Sequence, residues 1–234
     1  MRNKHWHDIR GLLWYEGRVL LGWSALLPVL GLPGYALLRW LVGKASGDST
    51  SLAVILRAFE VILPLASGLS AAHLLTIEYD EGFEELRRSY PEPAFRLPLL
   101  RMVAALVLWL AAFAVGYAAF QFAWGPLDTV QILWVAIPPS VFLVGLSLLV
   151  AEVSHSFWGA AGVVMGYWFL EVLTQGSITG RLYLFDGSMP LQGWPDPVNR
   201  WLLLGAGLLL LVITAVHSAR QKGWGARRMI LALR

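Results

Sequence analysis

Residues 130–151 read VQILWVAIPPSVFLVGLSLLVA, a run without a single charged side chain. A helix that crosses a bilayer needs about 20 predominantly apolar residues, so this run predicts a transmembrane helix. Further runs of this kind lie at 19–42, 52–77, 102–124, 157–175 and 201–217. These runs are continuous, whereas the strands of a membrane barrel are about 10 residues long and alternate strictly. The sequence therefore predicts an all-α membrane protein with about six transmembrane helices.

The composition agrees with this prediction. Of the 234 residues, 57% are hydrophobic and 14% are charged, whereas soluble domains carry about 25% charged residues. The six runs use most of the chain, which predicts one transmembrane domain over residues 1–234 and excludes a large soluble enzyme. The first run is too long for a signal peptide and contains Pro28, Pro33 and Arg39, so we expect no cleaved leader.

The basic residues predict the orientation. If the N-terminus lies inside, 13 of the 18 basic residues lie inside and three lie in external loops, namely Lys44, Arg181 and Arg200. Lys and Arg accumulate on the cytoplasmic side of membrane proteins. We therefore expect a multi-pass protein of the cell membrane with both termini in the cytoplasm. The net charge of +3 then reflects topology, and it predicts no binding to nucleic acid.

Three segments outside the spans have distinct compositions. Residues 1–17 place Trp6, Ile9 and Leu12 at helical spacing among charges, which favours an amphipathic helix in the inner interface; a frayed leader is the alternative. Residues 176–200 form an external segment rich in Gly, Pro and aromatic residues, and re-entry of part of it into the membrane is one interpretation. Residues 218–234 form a basic cytoplasmic tail that is suited to anionic lipid.

Four ionisable residues lie within or beside the spans: Arg57, Glu60, Glu152 and Glu171. Such residues are expensive in a membrane and are therefore candidates for a transport pathway. The structural alternative is that Arg57 and Glu60, three residues apart, pair within one helix, and that Glu152 lies at the inner boundary. Glu171 has no basic neighbour in the sequence.

Motifs for common catalytic sites are absent from the sequence. It contains no G-x-x-x-x-G-K-[ST] loop, no H-E-x-x-H and no G-x-S-x-G. Glu84 and Glu85 begin an E-E-x-x-x-R protease pattern, but Ser89 stands where the arginine is required. Because the chain also lacks cysteine, thiolate metal sites and a cysteine nucleophile are excluded. We predict no catalytic residue, no metal site and no enzyme activity on this chain.

The loop after the second run carries the most informative motif, EYDEGFEELRRSYP at residues 78–91. It resembles the cytoplasmic loop of ABC-2-type transporter permeases, which reads E-x-x-x-G-[ST]-x-E-x-[LI]-x-x-x-P. Glu78, Gly82, Glu85 and Pro91 fall in register, and Phe83 replaces the usual Ser or Thr. The predicted layout is also similar to that family, with an interfacial helix, six spans, internal termini and a partly re-entrant segment before the last span.

The resemblance implies that residues 78–100 form a cytoplasmic coupling loop whose short helix docks on a separate ABC ATPase subunit. The residues that it assigns to this contact are Glu78, Asp80, Glu81, Gly82, Phe83, Glu85, Leu86, Arg88 and Pro91. It further implies a second permease copy, identical or related, contact with membrane lipids, and export as the direction of transport. ATP and Mg would bind to the ATPase, and this chain would hold no cofactor.

Two other functions remain open on the sequence alone. One is a non-transporting membrane scaffold or sensor. The other is a proton-coupled carrier that uses Glu60 or Glu171. The substrate is equally open among peptides, lipids, glycans and small drugs.

Overall fold

A computed structural model describes residues 23–46, 51–80, 96–190 and 196–232. These residues form α-helices, and no strand occurs among them. The helices are α1 (Trp23–Ser46), α2 (Leu52–Asp80), α3 (Arg96–Trp124), α4 (Thr129–Ser154), α5 (Phe157–Thr174) and α6 (Pro197–Ala232), with a 3₁₀ helix at Gly180–Leu182.

Five of these helices contain a stretch that is long and apolar enough to cross a membrane. The stretches are Leu52–Thr76, Arg101–Trp124, Thr129–Ser154, Phe157–Thr174 and Pro197–Ser218. The prediction of an all-α, multi-pass membrane protein is therefore confirmed. The predicted interfacial helix at 1–17 and residues 81–95 of the coupling loop lie outside the described residues.

The last helix extends beyond the predicted apolar run 201–217 at both ends. Helix α6 begins at Pro197, so Arg200, which the sequence placed in the external segment 176–200, lies in the first turn of a helix. The helical backbone also continues to Ala232, through most of the predicted tail 218–234. Apolar content marks the membrane-crossing part of a helix, whereas the backbone hydrogen bonds continue into polar sequence.

Local capping fixes the turns on either side of α4. Asp128 precedes the helix, and its Oδ1 accepts hydrogen bonds from the backbone N–H groups of Val130 at 3.0 Å and Gln131 at 3.2 Å, which satisfies free donors of the first turn. At the other end, His155 adopts a left-handed conformation with φ 51°. Ser156 then caps α5 by accepting from Gly159 N at 3.3 Å. A link of two residues makes α4 and α5 antiparallel neighbours.

Helices α2 and α4 form the centre of the bundle. Helix α2 packs against α1, α3, α4 and α5, and α4 also packs against α5 and α6. Ser147 of α4 donates a hydrogen bond to the Gly68 carbonyl of α2 at 2.6 Å. Small residues allow such close backbone approach between membrane helices, and hydroxyls bond across the contact. The two central helices are therefore joined directly.

The bundle has two ends with different structures. The cap end holds the turn at 125–128 and residues 175–190, which we call the cap segment. The opposite end holds the turn at 155–156 and the C-terminal parts of α2 and α6. Tyr183, Leu184 and Phe185 of the cap segment are buried against the helices, so this segment is a packed part of the protein.

Candidate functional site: polar groups buried under the cap segment

A buried ion pair joins α2 to α6 beneath the cap segment. The carboxylate of Glu60 contacts the guanidinium of Arg200, and the side chains are 0% and 1% exposed, respectively. A buried charge is tolerated only when it is paired and hydrogen-bonded. Both conditions are met here, because each group has further partners in the cap segment.

The cap segment supplies those further partners from its backbone. The N–H of Gly187 donates to Glu60 Oε1 at 2.8 Å, and the N–H of Ser188 donates to Glu60 Oε2 at 2.7 Å. Arg200 Nη1 donates to the Leu184 carbonyl at 3.3 Å. Glu60 and Arg200 therefore tie three parts of the chain together: α2, α6 and the cap segment.

Arg57 takes no part in this pair, so the structural alternative in which Arg57 pairs with Glu60 within α2 does not hold. Arg57 is exposed, whereas Glu60 is fully buried. Glu60 accepts instead from residues 127 to 140 positions further along the chain. Sequence spacing can show which residues share a helix face, but it does not reveal a stronger partner that the fold brings from elsewhere.

Two more polar residues hold the cap segment in place. Asn199 of α6 donates from Nδ2 to the carbonyls of Arg181 at 2.9 Å and Tyr183 at 2.8 Å. Asp186 Oδ2 accepts from the backbone N–H of Asp196 at 2.6 Å. Both side chains are buried. Asp186, Asn199 and Arg200 were not predicted as site residues. The one sequence feature that could have indicated Asn199 and Arg200 is their position as polar residues directly before an apolar run.

Glu171 lies under the same segment, in the last turns of α5. Its side chain is 0% exposed. Neither carboxyl oxygen makes a hydrogen bond of ordinary geometry within the described residues. The hydroxyls of Tyr167 and Thr179 and the backbone N–H of Leu184 are the polar groups around it. Glu171 is therefore a second buried carboxyl at the cap end, without the cation that Glu60 has.

Tyr183 of the cap segment lies close enough to both carboxyls to be affected by them. Burial raises the pKa of Tyr183 to about 12, and the nearby charge of Glu60 acts in the same direction, whereas Arg57 acts in the opposite one. Its hydroxyl therefore stays neutral through the physiological range. The phenol adds buried bulk to the cap without adding charge.

Glu152 is far from this cluster, at the opposite end of the bundle. It lies in the last turn of α4 and is buried, and its Oε1 accepts from Ser218 of α6 at 2.6 Å. The four ionisable candidates therefore separate into three places. Glu60 and Glu171 lie together under the cap segment, Arg57 is on the outer surface, and Glu152 joins α4 to α6 at the other end.

Of the residues predicted to couple to an ATPase, Glu78 and Asp80 fall in the last turn of α2, beyond the apolar stretch Leu52–Thr76. The other predicted coupling residues, from Glu81 to Pro91, lie outside the described residues. Within the described ranges, no three His, Asp or Glu side chains gather in a way that could hold a metal ion.

A groove of about 480 Å³ lies between α3 and α4. Its walls include Leu106, Trp109 and Val144, and its polar groups are the Trp109 indole and the Ser140 hydroxyl. That hydroxyl donates to the Ala136 carbonyl at 2.7 Å. The exposed side chain of Leu106 at its edge opens the groove to the side of the bundle, so it suits hydrocarbon better than a charged ligand.

No protein-family model, no curated protein and no solved structure matches this chain.

Proposed function

We propose that this chain is the membrane-spanning permease subunit of an ATP-driven exporter of the ABC-2 type. The observation that carries the proposal is the EYDEGFEELRRSYP motif at residues 78–91, between the second and third helices of a multi-pass bundle. Hydrolysis of ATP would belong to a separate subunit, and a second permease copy would complete the transporter.

The motif has two departures from the family pattern. Phe83 stands at the Ser or Thr position, and Arg87 stands at the Leu or Ile position, with Leu86 one residue earlier. The positions that set the backbone are retained: Gly82 permits a turn, and Pro91 ends a helix because it lacks an N–H and clashes with the preceding turn. The resemblance therefore lies in the glycine, proline and acidic positions of the motif more than in its apolar ones.

The position of α2 supports a coupling role for the loop that follows it. Helix α2 contacts four other helices, bonds to α4 through Gly68, and reaches the cap segment through Glu60. A force applied at residues 78–91 would enter the bundle through a helix that is joined to both its centre and its far end. Rigid elements with packed neighbours transmit such motion.

The proposed topology has six spans. Helix α1 is 24 residues long, so it extends about 36 Å at 1.5 Å per residue, which is enough to cross the roughly 30 Å hydrocarbon core. With the five apolar helices it makes an even number, which places both termini on one side. The excess of Lys and Arg on that side makes it cytoplasmic.

The test of the coupling role is a charge reversal at Glu85. We expect Glu85→Arg to leave the protein inserted and folded, since exposed ion pairs contribute only about 0–1 kcal/mol. Like charges facing each other at a docking surface cost several kcal/mol, so transport and association with the ATPase should both be lost. The matched control is Glu92→Arg, which lies beyond Pro91 and should behave as the wild type.

The measurements are ATP hydrolysis by the purified complex and crosslinking from a cysteine at residue 85. Because the chain contains no cysteine, that thiol would be the only one on the permease. If Glu85→Arg retains wild-type transport and the ATPase still co-purifies, the loop is not the docking site. If the wild-type protein has no ATPase partner, the scaffold or sensor alternative replaces the permease.

A further inference from the structure

Glu171 is the least satisfied ionisable group among the described residues. Its carboxyl is 0% exposed, both of its oxygens lack a hydrogen bond of ordinary geometry, and so does the buried Oγ1 of Thr179 beside it. Transfer of an isolated carboxylate to such surroundings is strongly unfavourable, and a group of this kind neutralises or finds a cation. Glu171 must therefore either carry a proton or lie beside a cation.

Among the residues that the structure describes, the charged groups around Glu171 do not provide a cation. On α5 itself the last turn contains no basic residue. On α6, Arg200 is engaged by Glu60 and by the Leu184 carbonyl. On α2, Arg57 is exposed, as is Arg181 in the cap segment. The other acidic groups that act on Tyr183 of the cap segment, Glu60 and Asp186, are carboxyls, and the Tyr183 phenol is uncharged.

The surrounding hydrogen bonds favour a protonated carboxyl at Glu171. Tyr167 has a single hydroxyl hydrogen, which it donates to the Leu182 carbonyl at 3.0 Å; the lone pairs of its oxygen remain available to Glu171. A carboxylate would place two acceptors against each other. A carboxylic acid resolves this, because its O–H can donate to Tyr167 while its C=O can turn towards the Leu184 N–H and the Thr179 hydroxyl, the polar groups around it.

The position of Glu171 at a helix end is a second reason for its carboxyl to be protonated. Glu171 lies in the last turn of α5, and the N–H of Gln175 donates to the Glu171 backbone carbonyl. The C-terminus of a helix carries partial negative charge, which disfavours an anion there. Glu60 lies inside its helix, away from either end, and has Arg200 as a partner, whereas Glu171 lies at a helix end that disfavours an anion.

We propose that Glu171 is a proton-binding site that holds the cap segment closed: its carboxyl carries a proton, directs it to the Tyr167 oxygen, and turns its C=O towards the Leu184 N–H and the Thr179 hydroxyl. When the cap segment opens to water, the proton passes to water and a carboxylate remains. The closed cap therefore binds one more proton than the open cap. Linkage then requires that the stability of the closed cap falls as the pH rises.

Infrared spectroscopy and hydrogen exchange on the purified full chain in lipid nanodiscs test this proposal. We expect a protonated-carboxyl C=O band at neutral pH that is lost in Glu171→Gln and retained in the control Glu152→Gln. Thr179→Val removes a donor to that carbonyl and should shift the band to higher frequency. This second variant still tests the proposal if Glu171→Gln folds poorly.

Hydrogen exchange at residues 182–190 reports the closure of the cap segment itself. After correction for the intrinsic pH dependence of exchange, the wild type should lose protection as the pH rises, and Glu171→Gln should lose this response because its amide cannot ionise. The proposal is overturned if no carboxyl band is assigned to Glu171, or if Glu171→Gln keeps the wild-type pH response. Protection that increases with NaCl, without a carboxyl band, would show a bound metal cation in place of the proton and would also overturn it.

Discussion

At the residue scale, the cap end depends on one charged pair that has no surface exposure. Glu60 has partners for both oxygens in Gly187, Ser188 and Arg200. The Cα of Gly187 lies so close that an added Cβ would contact the Arg200 guanidinium and lie 2.9 Å from Glu60 Oε1. A residue with a side chain would therefore push the Arg200 and Glu60 side chains out of their present contact.

This arrangement predicts a large cost for removing one partner of the pair. We expect Arg200→Gln to destabilise the protein by about 3–5 kcal/mol, because it leaves a buried carboxylate without its cation. The double variant Glu60→Gln/Arg200→Gln should be more stable than Arg200→Gln alone. Thermal unfolding in detergent measures both. Arg57→Gln, on the exposed face of the same helix, should unfold close to the wild type; a large effect there would point to a role for Arg57 that the fold does not show.

At the scale of the helices, contact between α4 and α6 depends on glycine. A Cβ on Gly207 would lie 2.7 Å from Phe142 N and from the carbonyl carbon and oxygen of Val141, which are backbone atoms that cannot rotate away. A Cβ on Gly205, two residues earlier in the same helix, would meet nothing within 4 Å. The two glycines have the same chemistry but different neighbours.

We therefore expect Gly207→Ala to destabilise the protein by about 1–3 kcal/mol, which is the range for overpacking. Gly205→Ala should be neutral or slightly stabilising, because alanine favours the helix by up to about 1 kcal/mol over glycine. Thermal unfolding of the two variants, measured side by side, gives the comparison. Equal stability of the two would mean that α4 and α6 do not approach each other as closely as described.

At the scale of the whole molecule, the cap end and the opposite end should face different compartments. The opposite end carries the C-terminal parts of α2 and α6 and, by sequence, most of the basic residues. Because the chain has no cysteine, single thiols can report the side. We expect Ser177→Cys, exposed in the cap segment, to react with a membrane-impermeant maleimide on intact cells.

Arg88→Cys should react with the same reagent only after the cells are opened. Ser177 is preferred to Gly187 for the outer probe because a side chain at Gly187 would contact Arg200. Labelling of Arg88→Cys on intact cells would reverse the proposed orientation and place the EYDEGFEELRRSYP motif outside, where no ATPase could reach it.

The sequence by itself determined the class of fold and the approximate positions of the helices. Each membrane-crossing helix must form its backbone hydrogen bonds within itself and present an apolar surface to lipid. A run such as residues 130–151 therefore predicts a helix without knowledge of its neighbours. The sequence also marked Glu60, Glu152 and Glu171 as unusual, because ionisable residues are rare within apolar runs and can be recognised there before their partners are known.

Only the tertiary structure decided what those residues contact. Glu60 could have paired with Arg57, three residues away, but it meets Arg200, 140 residues along the chain. Residues 176–190 could have formed a loose external loop, but Asn199, Arg200 and Glu60 hold them against the helices. Partners far apart in sequence are selected by how whole helices pack, and small residues such as Gly207 allow that packing. The sequence pattern of one helix does not show which distant residues that helix will contact.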